Sequence, residues 1–231
     1  MLASTAKKIL VRILIAISTI ILIRACLPKK VQLIENPTLG QNRKLIIVPT
    51  DGIPSLFLTS LRTKLQAQHK FEVLTTVQTA LPPNTEIKKT GQHEIIKLVE
   101  AGAEVCKNVA INNEYCVLLT NLDINTENSG LRFLFAQHYK GISVVSTARL
   151  NEANFGAQLN LISTTILSEL IVNRTAKLIN KGLGLGYYGY ALSNNRKSVM
   201  FAPIMGLTDL DSIGDWYLDN ELHKNNYENS Y

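Results

Sequence analysis

Between Lys44 and Asn121 the chain alternates runs dense in β-branched residues with amphipathic stretches, an order that few architectures accept. Lys44–Pro49 (KLIIVP) reads as a buried strand, and Asp51-Gly52-Ile53-Pro54 turns the chain into a helix predicted over Ser55–Lys70. Phe71–Val77 (FEVLTTV) predicts a second strand, broken by the proline-rich Ala80–Thr85. His93–Ala110 places Ile95, Ile96, Val99, Ala103 and Val109 among charges, which predicts an amphipathic helix against a sheet, and Tyr115–Asn121 (YCVLLTN) predicts another buried strand. Strand, helix, strand, helix, strand implies a parallel α/β layer with right-handed crossovers. Two further strands are expected at Leu131–His138 and Gly141–Ser146, then a long helix over about Asn154–Lys181 with Leu159, Ile162, Ile166 and Leu170 on one face. A glycine-rich turn, Gly182–Gly189, is expected to close that helix.

At 231 residues, with 46% hydrophobic and 18% charged, the chain has the means to bury one main core. Its formal charge of +6 is accounted for by Lys7, Lys8, Arg12, Arg24, Lys29 and Lys30, so the folded body is neutral. Without a basic stripe interleaved with aromatics, nucleic acid is not an expected partner. Those basic residues flank an apolar run, Ile13–Ile23, followed by Cys26, so residues 1–26 read as a signal peptide or membrane anchor. Ile23-Arg24-Ala25-Cys26 resembles a bacterial lipoprotein box apart from its arginine, which makes Cys26 a lipidation candidate. An uncleaved anchor, an acylated lipoprotein and a released signal peptide remain open, with orientation unspecified; the first two tether the protein to the cell envelope. Residues 27–43 read as a linker and 44–231 as the globular domain. Cys106 and Cys116 either pair or remain buried thiols.

Further along, Val117–Asp123 (VLLTNLD), Phe133–Ala136 (FLFA) and Val144–Leu150 (VVSTARL) resemble the strands before the active-site helix of archaemetzincins. Leu183-Gly184-Leu185-Gly186 is similar to the glycine turn of metzincins, Ser198–Pro203 (SVMFAP) to their methionine turn, with Met200 as its methionine, and Gly206–Tyr217 to their final helix. The resemblance implies an α/β, metzincin-like three-layer domain: a mixed, mainly parallel sheet, a long active-site-type helix and a methionine-turn-like loop.

That family's chemistry requires two histidines one helical turn apart, a glutamate beside the first, and a third histidine after the glycine turn. The matching positions here are Lys177, Leu178, Lys181 and Tyr187. A protonated lysine has no electron pair for zinc, and two of them four residues apart repel both the metal and each other. The four histidines are His69, His93, His138 and His223, so no register restores the motif. The first three fall near helix or strand ends, where solvated or capping roles are expected. No zinc or other cofactor is therefore expected.

Asp209, Asp211, Asp215 and Asp219 lack the compact spacing of a calcium loop and read as a solvated acidic face. Tyr188 and Tyr190 are candidates for lining a remnant cleft, with packing as the alternative. The functional expectation is a non-catalytic envelope protein binding a peptide or protein partner in that cleft. The alternative is a peptidase or other hydrolase of altered mechanism, in which neighbouring lysines lower one another's pKa to give a nucleophilic amine.

Overall fold

A computed structural model describes residues 44–218, apart from 70, 81–82, 110–113, 128–129, 140 and 152–163. Expectations for residues 1–43, including Cys26, and for Leu159, Ile162, Asp219 and His223 lie outside the described residues.

The β-branched runs become a five-stranded sheet in the order β2-β1-β4-β7-β6. Its strands are β1 (Lys44–Pro49), β2 (Glu72–Thr75), β4 (Tyr115–Thr120), β6 (Ala136–Tyr139) and β7 (Ile142–Ser146). β1, β2, β4 and β7 run parallel, and β6 returns antiparallel at the edge. Side chains alternate across this sheet, and the alternation divides the core in two. Leu45, Ile47, Tyr115, Val117, Leu119 and Val145 face one side, whereas Ile46, Val48, Cys116, Leu118 and Val144 face the other.

The first side is covered by α1 (Ser55–His69) and α3 (Thr164–Leu183), which bury Leu61, Leu65, Ala176 and Ile179 there. The second is covered by α2 (Ile95–Val109), through Ile95, Leu98 and Cys106. Apolar residues on both faces of a strand require helices on both faces, so the three layers follow from the strand composition. Cys106 and Cys116 form a disulfide between α2 and β4, which resolves the alternative that the sequence left open.

Several expectations are corrected. The strand expected from Leu131 begins only at Ala136, because Leu134 N–H is drawn instead to Ile124 O (2.8 Å). Ile124 belongs to β5 (Ile124–Asn125), which pairs with β3 (His93–Glu94) in a small parallel ladder; His93 thus starts a strand rather than a helix. The glycine-rich stretch is not a turn: α3 winds on as a π-helical segment, Gly184–Tyr188, and only Gly189 (φ 69°) takes the left-handed conformation that ends it.

The glycine at 184 instead serves close approach, since a β-carbon there would run into Met200 and Tyr217. The final helix is short, α4 (Leu207–Ser212), and its aspartates are paired rather than simply solvated. Asp211 chelates the buried Arg174 (2.7 and 2.6 Å), and Asp209 meets Arg196 (2.9 Å).

Candidate functional site: the groove beside Lys181

α3 carries Lys177, Leu178 and Lys181 on consecutive turns, yet the two lysines go to different places. Lys177 Nζ donates to Ile213 O (2.8 Å), Leu210 O (3.1 Å) and Asp211 O (3.4 Å), with Asp215 Oδ1 3.6 Å away. These are carbonyls at the C-terminal end of α4, where the partial negative charge of the helix dipole attracts a cation. All three ammonium protons are directed into the scaffold.

Lys181, only 9% exposed, sends Nζ to Phe201 O at the end of the loop that carries Met200. Among the described residues it has no ion-pair partner. Burial without a carboxylate penalises the charged amine and lowers its pKa to about 8. The cause is desolvation and not a neighbouring lysine, contrary to the mechanism expected from the sequence.

Lys181 opens into a groove of about 650 Å³. One wall is the segment Gly130–Ala136 leading into β6, the other is Pro203–Met205, and Leu178 and His138 complete the lining with Lys181. The first wall is fixed by its backbone: Gln92 Nε2 donates to Arg132 O (2.8 Å), Asn125 Nδ2 to Leu131 O (2.9 Å), and the Arg149 guanidinium lies 4.7 Å from the Phe133 ring centre.

His138 is tied down by the hairpin register that sets it opposite Ser143. Its Nδ1 lies 2.5 Å from Ser143 Oγ, which is also 2.5 Å from Tyr115 OH. Gly182 makes room for this chain of contacts, since a side chain there would strike both Ser143 and His138. Burial, and then the charge on Lys181, lower the His138 pKa to about 3, so the imidazole is neutral at neutral pH. His138 thus departs from the solvated or capping role expected at a strand end, and His69 from the same role expected at a helix end. His69 is enclosed by Phe71, Tyr188 and Trp216, bonds Asn180 Oδ1 (2.8 Å), and has its pKa lowered to about 4 by burial.

Tyr187 sets its ring against Tyr115 (6.1 Å) and Tyr188 (5.4 Å). Tyr188 and Tyr190 do not line the groove beside Lys181: Tyr190 is 2% exposed and packs with Val199, Met200 and Tyr217, while Tyr188 stacks on Tyr190 and bonds His69 Nδ1 (3.0 Å). Met200 is fully buried beneath Gly184, in a tight turn where Ser198 Oγ accepts its N–H (2.9 Å).

The structure thus gathers Gly184, Met200 and the tyrosines into a small sub-core. It leaves Lys177, Lys181 and Tyr187 with three separate sets of partners. Arg132, His138, Ser143 and the Phe201 carbonyl are site elements that the sequence reasoning missed. His138 was legible in principle, because antiparallel pairing of the two successive strands puts it opposite Ser143.

These residues do not fit a zinc ion. Both lysine ammonium groups are engaged as donors and offer no electron pair. Tyr187 is turned to Tyr115, and among the described residues no three His, Cys, Asp or Glu side chains gather as a metal site.

No protein-family model matches the chain, and no curated protein sequence does. Solved structures do. A zinc-dependent peptidase from Methanocorpusculum labreanum is similar over 79% of this chain and 100% of its own, with a TM-score of 0.60 and 16% identity. An archaemetzincin from Archaeoglobus fulgidus, complexed with malonate, is similar over 77% of this chain and 96% of its own, with a TM-score of 0.57 and 18% identity. An archaemetzincin from Methanopyrus kandleri is similar over 80% of this chain and 94% of its own, with a TM-score of 0.57 and 22% identity. At these identities the likeness establishes the fold, which is archaemetzincin-like and shared with zinc metallopeptidases.

Proposed function

We propose that this archaemetzincin-like domain is a non-catalytic module of the cell envelope that holds an extended peptide segment in the groove beside β6. One observation carries the reading: at the two positions where the resemblance would require metal-binding imidazoles stand lysines that donate to backbone carbonyls. What survives is the architecture around them, an edge strand with a fixed, largely apolar wall and a cavity large enough for several side chains. The Cys106–Cys116 disulfide is in keeping with the oxidising, outer side of an envelope membrane.

The full chain, incubated with equimolar zinc and passed through gel filtration, is expected to retain no stoichiometric metal by elemental analysis and to leave unfolded protein substrates intact. One zinc held per chain, together with cleavage abolished by a chelator, would sink the proposal. A second reading rests on the lowered pKa of Lys181, which makes its amine a nucleophile near neutral pH. Cleavage that survives chelation and disappears in Lys181→Met would favour that reading instead.

A further inference from the structure

Building on the peptide-binding reading, we infer that the groove recognises the free C-terminal carboxylate of an apolar peptide, with Lys181 at its floor and Arg132 at its rim. The groove combines two features. Its walls are apolar at Leu131, Phe133, Phe135, Leu178 and Ile204, and the charged side chains along it are both cations, Lys181 and Arg132, with no carboxylate among its lining residues.

Neither cation has an ion-pair partner among the described residues, although the other buried cation of α3, Arg174, is fully paired with Asp211. The ammonium of a buried lysine bonded to one neutral carbonyl retains donor capacity and an unmet electrostatic demand. An arriving carboxylate meets both. His138, the other titratable group facing Lys181, is held neutral and tied to Ser143, so it neither competes for the anion nor supplies one.

A chain terminus suits the site better than an acidic side chain. Lys181 sits at the buried floor, where a terminus ends without the chain having to climb out again, and the last residue's side chain finds the apolar wall beside it. Arg132 is exposed at the rim and adds a second charge as the peptide enters.

The test uses the full chain in detergent and a short fluorescein-labelled peptide of alanine, valine and leucine, followed by fluorescence anisotropy. The free-acid peptide is expected to bind about tenfold or more tightly than its C-terminal amide, the scale of a charge-assisted hydrogen bond in a desolvated site. Lys181→Met and Arg132→Gln should each narrow that gap. The preference should also fade as pH rises past about 8, where the Lys181 amine loses its proton.

Equal binding of acid and amide would overturn carboxylate recognition while leaving the peptide groove standing. An amidated peptide with an internal glutamate that binds as well as the free acid would overturn the assignment to a chain terminus. Failure of every peptide to bind would overturn this inference and the proposed function together. The acid–amide comparison is made on the unaltered protein, so it holds even if the Lys181 variant folds poorly.

Discussion

The two flanks of α3 present the same residue type to opposite fates. On the flank facing α4, charge is sealed into the scaffold: Lys177 closes the helix end, Arg174 is clamped by Asp211 and by Leu150 O (2.5 Å), and Asn180 bonds His69. On the flank facing β6, Lys181 has one neutral partner and an open groove in front of it. A lysine whose donors all end on carbonyls is a piece of architecture. A lysine one turn away, buried without a counter-charge, is the one on which the proposed binding rests.

From this contrast, perturbing the sealed flank should damage stability and perturbing the open flank should damage binding. The largest effect is expected for Arg174→Ala. Removing the cation strands Asp211 and Leu150 O around a void and should cost about 4 kcal/mol, read from chemical denaturation. A loss near zero would show that the sealed flank is not a scaffold.

Acid should probe the same flank next. The His69 pKa of about 4 in the folded chain lies below the unfolded value of 6.5, so the unfolded state takes up the proton first. Stability is then fully present above pH 6.5 and is lost as pH falls toward 4, by about 3 kcal/mol from His69 alone. His138, lowered by burial to about 3, works in the same direction. Denaturation midpoints that stay level from pH 7 to 4.5 would contradict the enclosure of the His69 ring.

The smallest effect distinguishes the lysines directly. Lys177→Met should cost about 1 kcal/mol through the lost helix-end interaction and leave peptide affinity alone. Lys181→Met should reverse that order, with melting little changed and peptide affinity reduced. Equal behaviour of the two variants in both measurements would erase the contrast.

Much of the frame was legible in the sequence because it depends on local pattern. The β-branched runs at Lys44–Pro49, Tyr115–Thr120 and Ile142–Ser146 became the central parallel strands, and the apolar periodicity from Ile95 became α2. The site was less legible, because it depends on contacts made at long range.

Gly184 looked like a turn residue, since nothing nearby reveals that Met200 and Tyr217 will press against it. His69 looked exposed, although its partner Asn180 lies 111 residues away. Which of two lysines would face a cavity was decided by α4 and by the loop after Met200, both of which follow α3 in the chain.

Because the backbone keeps winding from Leu183 through Tyr188, position 187 remains on the surface of a helix, where its side chain meets Tyr115. Exchanging the four side chains alone would leave position 187 on this helical path, set against Tyr115 and outside the groove that Lys181 lines. The path of the chain after Gly184, and not the identity of four side chains alone, sets what this position can reach.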